Sequence, residues 1–167
     1  MAFTESRIFR AFLQINMLKD PGPAVTLGAY TNIVADAMKV SLFGNTGTPD
    51  RDAAITSTGY NTGQWTTGNE ITGSGIWAAA GRSLASQAFT ASAGGIVMYD
   101  AADLAGAGTG TLAAVFGCFV YDDATTAGTG GIADQGVCYN YFGGSQSVTS
   151  GTFTIVWNAS GLFRFTV

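Results

Sequence analysis

The last fifteen residues of the chain alternate between apolar and polar side chains in two short segments, 153–157 and 163–167. Because successive side chains of a strand point to opposite faces, a period of two predicts β-strands. Between the segments lie Asn158 and Gly161, which tolerate the left-handed backbone of hairpin loops. A closing hairpin has to be paired or protected, so we expect a closed barrel or a sandwich that this hairpin completes.

The chain has few ionised side chains for its size. Charged residues make up 11% of its 167 residues, and 24 residues are glycine, whereas soluble domains average about 25% charged residues. A chain of this length is expected to form one domain whose core needs neither a metal nor a disulfide. A weakly charged surface rich in hydroxyl groups is typical of secreted modules, adhesins and virion components, which pack against neighbours.

Charge and hydropathy also argue against two classes of partner. The net charge is −4 and no cluster of Lys and Arg occurs, so the electrostatic signature of a nucleic-acid binder is missing. No apolar run approaches the roughly 18 residues that a membrane helix requires. The stretch 11–18 follows two arginines as in a signal peptide, but Gln14 and Asn16 interrupt it. An outer-membrane barrel would need alternating aromatics in every strand, whereas the middle of this chain is small and polar. We expect neither nucleic acid nor a membrane as partner.

The beginning of the chain predicts one amphipathic helix over residues 3–18. Ile8, Phe12 and Ile15 recur at the spacing of a helical face, and Ser6 is a possible N-cap. The predicted organisation is therefore an N-terminal helix or arm over 1–20 and a β-sandwich domain over 21–167, within one globular unit. The aromatic residues of this segment pack on the chain's own barrel or extend onto a neighbour, and we favour the first arrangement.

The rest of the chain predicts strands separated by turn sequences. Besides the closing hairpin, strands are predicted over 38–43, 83–90, 96–100, 111–121 and 137–142. The apolar strand 111–121 is expected to be buried on both faces. Residues 50–81 are expected to form short strands in a long excursion and not a second core. The predicted fold is mainly β, a β-sandwich or jelly-roll-like barrel of about eight or nine strands with one N-terminal helix.

Two aromatic residues and two cysteines have alternative interpretations. Trp65 and Trp77 lie in Thr/Gly-rich sequence, where they are core residues of short strands, the interpretation we favour, or anchors for a partner. An antiparallel pairing of 111–122 with 136–142 around Gly128 places Cys118 opposite Cys138. We interpret them as small buried thiols, since a disulfide requires a close pair and an oxidising environment.

The residue types that commonly carry catalysis are scarce. The chain has no histidine, which removes Ser-His-Asp and Cys-His catalysis and most transition-metal sites. Most aspartates lie in turn sequences, where side-chain to backbone hydrogen bonds account for them. Two pairs of neighbouring aspartates, in 50–52 and 122–123, lack the ligand series of known calcium loops. The sequence therefore predicts no catalytic residue, no metal site and no cofactor, and the protein is not expected to be an enzyme.

A set of motifs in fixed order carries a resemblance to one family. The motifs occupy residues 38–43, 48–52, 97–103, 120–123 and 151–166. In this order they resemble the decoration, cement or minor capsid proteins of tailed-phage heads, although residues 65–92 depart from that pattern. The resemblance implies a β-sandwich or jelly-roll-like protein that sits on the outside of the virion's capsid. It also implies a homotrimer that clamps subunits of the major capsid protein, and it transfers no catalytic residue.

The expected function is therefore that of a structural virion protein, made in the host cytoplasm, that stabilises a phage capsid from outside. Aromatic side chains are the candidate contact residues: Phe3, Phe9, Phe12, Trp65, Trp77, Tyr139 and Tyr141. The alternative is an adhesive or carbohydrate-binding virion module, such as a head fibre or baseplate component. In that case exposed tryptophan and tyrosine rings at 65, 77, 139 and 141 would stack on a sugar.

Overall fold

A computed structural model describes residues 3–13, 33–125 and 132–166. The protein is mainly β, with 44% of the described residues in strands and 5% in helices, as the sequence predicts. Within these residues one α-helix, α1, covers Arg10–Phe12, and a 3-10 turn covers Ile55–Ser57. The strands are β1 Arg7–Ile8, β2 Met38–Phe43, β3 Arg82–Ser83, β4 Ala88–Ser92, β5 Ile96–Asp100, β6 Leu104–Ala105, β7 Gly110–Asp122, β8 Gln135–Gly151, β9 Thr154–Ile155 and β10 Phe163–Thr166.

The strands form antiparallel sheets of five, three and two strands. Their orders are β1-β8-β7-β2-β3, β10-β5-β4 and β6-β9. Strands β2 and β5 match their predicted bounds, and β7 and β8 extend their predicted strands at one or both ends. The described part of the chain holds ten strands, slightly more than predicted, because several are only two residues long.

The five-stranded sheet is buried on both faces at its centre; in β7 this confirms the prediction for residues 117–121, whereas residues 111, 113 and 114 are exposed. On one face, Trp65 stacks on Phe119 with ring centroids 4.5 Å apart, and Tyr60 stacks on Tyr121 at 4.8 Å. On the other face, Cys138 lines a groove together with Leu162 and the first residue of β10. This contact places the three-stranded sheet against the five-stranded one, so that the two sheets form a sandwich.

Residues 44–81 cover the first face of the five-stranded sheet. Within this range, all of which the structure describes, strand pairing is limited to isolated bridges such as Phe43↔Glu70 and Gly73↔Trp77. The side chains of Trp65 and Trp77 are 1% and 0% exposed and belong to the same hydrophobic cluster as the sheets. The favoured interpretation of both tryptophans as core residues is confirmed and the segment adds no second core, but the short strands expected over 50–81 do not form.

The antiparallel pairing of β7 with β8 is confirmed, but the predicted register of the cysteines is wrong. Cys118 lies opposite Asn140, and Cys138 lies opposite Val120. The register shifts between Val120 and Tyr121, where a bulge leaves one extra residue on β8; this bulge accounts for one of the two residues by which the thiols are out of alignment. Both thiols are unpaired and buried, as interpreted. The expected turn at Gly128 lies outside the described residues.

The predicted N-terminal helix is wrong over its first part. Residues 3–9 are extended, and Arg7 and Ile8 pair with β8. The N-cap of α1 is Phe9, without a side-chain cap, whereas Ser6 Oγ accepts a hydrogen bond from the Tyr141 backbone at 2.8 Å. Pairing with β8 provides backbone hydrogen bonds that outweigh a weak helical preference. The remainder of the predicted helix, 14–18, lies outside the described residues.

The predicted closing hairpin is wrong, although its turn is present. The Gly161 amide donates to the Asn158 carbonyl at 2.7 Å, and Gly161 has a φ of 74°. The two arms then separate, because β9 pairs with β6 and β10 pairs with β5. The first arm is held by Trp157, whose indole donates to the Ala102 carbonyl at 3.1 Å and whose amide donates to the Asp103 carboxylate. Tertiary hydrogen bonds therefore override the local hairpin signal.

The strand predicted over 83–90 is wrong as one element, because it is divided between two sheets. Strand β3 belongs to the five-stranded sheet and β4 to the three-stranded sheet. Between them, the Leu84 amide donates to the Met38 carbonyl at 2.8 Å, and Ser86 adopts a φ of 54°. A left-handed residue at this point turns the chain from one layer of the sandwich to the other.

Trp65 and Trp157 differ in burial, so we expect them to contribute differently to the free energy of unfolding. Replacing the fully buried Trp65 by alanine should lower the free energy of unfolding by about 3–5 kcal/mol. Trp157→Ala should lower it by only about 1–2 kcal/mol, since the ring is partly exposed and loses one hydrogen bond. Urea denaturation of both variants measures the two losses. A larger loss for Trp157→Ala would contradict the described packing.

Candidate functional site

The structure places six of the seven candidate contact residues inside the core. Their exposed fractions are 3% or less: Phe3, Phe9, Phe12, Trp65, Trp77 and Tyr139. Side chains buried in the chain itself offer no contact surface, so the expectation for these six is corrected. The sugar-stacking surface proposed at 65, 77 and 139 is absent for the same reason. Of the seven residues, Tyr141 is partly exposed.

Four of the buried candidates form one aromatic cluster around Trp65. The ring centroids of Phe3, Phe9 and Tyr139 lie 5.8 to 6.0 Å from that of Trp65. The preferred geometry of aromatic pairs brings such rings edge to face, and two of these contacts are T-shaped. Trp65 has few apolar neighbours in the sequence. Its partners in the fold come from distant segments, among them β8 and the beginning of the chain.

A groove runs along one open side of the sandwich, and Tyr141 belongs to it. Its first part, about 500 Å³ in volume, lies between the edge strands β1 and β10. The residues that line this part are Ser6, Arg7, Ile8, Cys138, Asn140, Leu162, Phe163 and Arg164. Two smaller hollows of about 200 and 230 Å³ adjoin it: the first shares Asn140 and Leu162 with its lining, and the second shares Phe142 and Ile155 with the first. We call this continuous depression the C-terminal groove.

The hollow of about 200 Å³ in the C-terminal groove is bordered by the segment that leads to the Asn158 turn. Ile155, Val156 and Trp157 line it, together with Tyr141 and Phe142 of β8. Val156 is 71% exposed, the largest exposed fraction among the large apolar side chains of the described residues. The sequence carries a signal for this residue, because Val156 occupies an outward position in the alternation of 153–157. An apolar residue on the solvent face of a strand is a candidate contact residue.

The groove differs in charge from the protein as a whole. Of the described residues that line it, Arg7 and Arg164 are the ionised ones, whereas the chain carries a net charge of −4. Arg7 forms an ion pair with Glu5 at 2.5 Å. Arg164 contacts the Ser160 hydroxyl at 3.5 Å, and within the described residues no carboxylate forms an ion pair with it. The groove therefore presents one guanidinium without a carboxylate partner from the described chain.

The buried titratable groups are parts of the core, and of these Cys138 also lines the groove. The Tyr60 hydroxyl donates to the Glu70 carboxylate at 2.7 Å, and the Ala80 amide donates to both groups. Burial raises the pKa of the Cys118 thiol to about 12 and raises that of Cys138 as well, and only a thiolate is an effective nucleophile. In the described ranges, no three His, Cys, Asp or Glu residues gather as metal ligands. The groove is thus suited to binding a partner and contains no recognisable catalytic group.

No protein-family model, curated protein or solved structure matches this chain. Within the described residues, no helix combines the length and the hydrophobicity needed to cross a membrane.

Four buried tyrosines make the fold sensitive to alkaline pH. Burial is the main cause that raises the pKa of Tyr60 and Tyr139 to about 12, aided by Glu70 and Glu5 respectively, and it also raises those of Tyr99 and Tyr121. A raised pKa means that the folded state holds the phenol proton more tightly than the unfolded state does. The stabilisation is complete below pH 10 and is lost as pH rises from 10 towards 12.

We therefore expect the melting temperature to fall steeply over that pH interval. Phenolate absorbance should rise together with the loss of circular dichroism, because most of the buried rings ionise only on unfolding. Ionisation of all tyrosines near pH 10 with the fold retained would contradict the described burial.

Proposed function

We propose that this protein is a structural virion component that binds the outside of a phage capsid and clamps subunits of the major capsid protein. The observation that carries the proposal is the C-terminal groove, an open and largely apolar depression with Val156 at its surface. An exposed apolar patch bordered by polar residues is typical of protein contact sites. The ordered motifs that resemble phage decoration proteins supply the identity of the partner.

The physical properties of the surface support this role. Because only 11% of its residues are charged, the free-energy cost of desolvating charged groups is small when the protein binds a neighbouring surface. A protein that binds the assembled shell but not its free subunits stabilises the shell by mass action. A homotrimer that engages three equivalent sites converts modest single contacts into avid attachment.

The second candidate function is an adhesive or carbohydrate-binding virion module, and a different feature of the same groove favours it. Tyr141 and Trp157 are both partly exposed and both line the groove, beside the amides of Asn140 and Asn158. Aromatic faces next to amide groups are suited to stacking and hydrogen bonding with sugars. This candidate predicts glycan binding in the absence of any capsid.

Co-sedimentation with expanded phage heads that lack the protein tests the first proposal. We expect saturable binding at a fixed ratio of about three or six copies per capsid hexamer, as trimers require. Val156→Asp should weaken attachment at least about tenfold, since it places a charge in an apolar contact. Val34→Asp is the matched control, because Val34 is exposed at 45% and lies outside the groove.

Failure of the folded wild-type protein to bind heads would contradict the capsid proposal. Glycan binding that Trp157→Ala abolishes would then favour the second candidate. Equal losses for Val156→Asp and Val34→Asp would exclude the groove as the contact surface.

A further inference from the structure

We propose that the C-terminal groove binds an extended acidic segment of the partner, which adds as a strand to the free edge of β10 and places a carboxylate on Arg164. Under the proposed function this segment belongs to the major capsid protein, and in that respect the inference rests on that function.

The first support is the position of the groove between two sheet edges. Strand β10 is the outer strand of the three-stranded sheet, and β1 is the outer strand of the five-stranded sheet. An outer strand carries backbone donors and acceptors that no neighbouring strand satisfies. With four residues, β10 offers the longer of the two edges, and residues 162–164 border the groove. An extended peptide that adds to such an edge gains affinity from main-chain hydrogen bonds.

The second support is the apolar floor of the groove. Ile8, Cys138, Leu162 and Phe163 line its deepest part. Side chains of an added strand alternate in direction, so every second residue would point towards this floor. The volume of about 500 Å³ lies within the range of roughly 300–1,000 Å³ that is usual for binding sites. The partner segment should therefore have apolar residues at alternate positions.

The third support is charge complementarity. Arg164 is exposed and has no ion pair with a described carboxylate, and Arg7 stands on the same part of the groove with Glu5 as its partner. The ionised groups that line the groove are thus both cationic in a protein of net charge −4. A guanidinium presents a planar fork that fits a carboxylate with two hydrogen bonds. Acidic side chains at the outward positions of the added strand would meet this group.

The test uses the full-length protein and synthetic peptides of about seven residues with blocked ends. In the first peptide valine and glutamate alternate, and in the second valine and lysine alternate. We expect the glutamate peptide to bind saturably, with amide chemical-shift changes confined to β1, β10 and residues 138–142. The lysine peptide should bind at least about tenfold more weakly, because it places like charge near Arg164.

Two variants and a modified peptide separate the contribution of Arg164 from that of strand pairing. Arg164→Gln should weaken binding of the glutamate peptide by about fivefold, as expected for loss of one solvent-exposed ion pair. Arg51→Gln is the matched control, since Arg51 is similarly exposed and is not among the residues that line the groove. A glutamate peptide with alternate amides N-methylated should lose binding if it pairs as a strand. Equal binding of both charged peptides, or equal binding by Arg164→Gln and the wild type, would overturn the inference.

Binding to phage heads distinguishes this inference from the proposed function. If heads bind the wild type and Arg164→Gln equally well, the function stands and the acidic-strand inference fails. If the glutamate peptide binds as described but heads do not, the groove chemistry stands and the capsid function fails. Self-association at the groove that Arg164→Gln abolishes would overturn the inference in favour of a second copy of the chain.

Discussion

The five-stranded sheet is covered on both faces, and the placement of the aromatic side chains follows from this double burial. One face carries Phe119, Tyr121 and Tyr139, which need a cover that no second sheet provides there. Residues 44–81 supply it with Trp65, stacked on Phe119 at 4.5 Å. Each such ring pair adds about 0.5–1.5 kcal/mol beyond the burial itself. A Thr/Gly-rich excursion with little regular structure is therefore held in place by its aromatic residues.

The same constraint explains where a partner can bind. Because Trp65 and Trp77 are buried in the core, these two tryptophans, which suggest adhesion in the sequence, are not available at the surface. Apolar surface that a partner can reach is found at the open side of the sandwich, where the edge strands β1 and β10 leave the C-terminal groove between them. Here Val156 and the guanidinium of Arg164 remain exposed. The outer strands of the sheets remain open, whereas the sheet faces are largely covered. Such a protein would attach to a larger assembly through its sheet edges.

The fold class was predictable from the sequence because short apolar or alternating segments are separated by turn sequences, and alternation is clear in 163–166, where Phe163 is buried and Arg164 is exposed. Pairing was not predictable, because it is decided by distant groups. The Asn158 turn forms, yet Trp157 bonds to Ala102 and directs the first arm to β6 instead of to β10. The beginning of the chain has helical spacing, but β8 offers a partner for Arg7 and Ile8. Of the groove, Tyr141 was predicted from its residue type. Val156 was overlooked, although its outward position in an alternating segment marks it.

Hydrogen exchange of the protein, free and bound to phage heads, tests the central claim that attachment occurs through the open side of the sandwich. Binding should slow exchange of the amides that border the groove, in residues 5–8, 138–142 and 153–166, because they become covered and hydrogen-bonded. Exchange in β4, the opposite edge of the three-stranded sheet, should remain unchanged. Protection confined to the amides of β4, the strand that carries the exposed Phe89, with the groove amides still exchanging freely, would contradict the account.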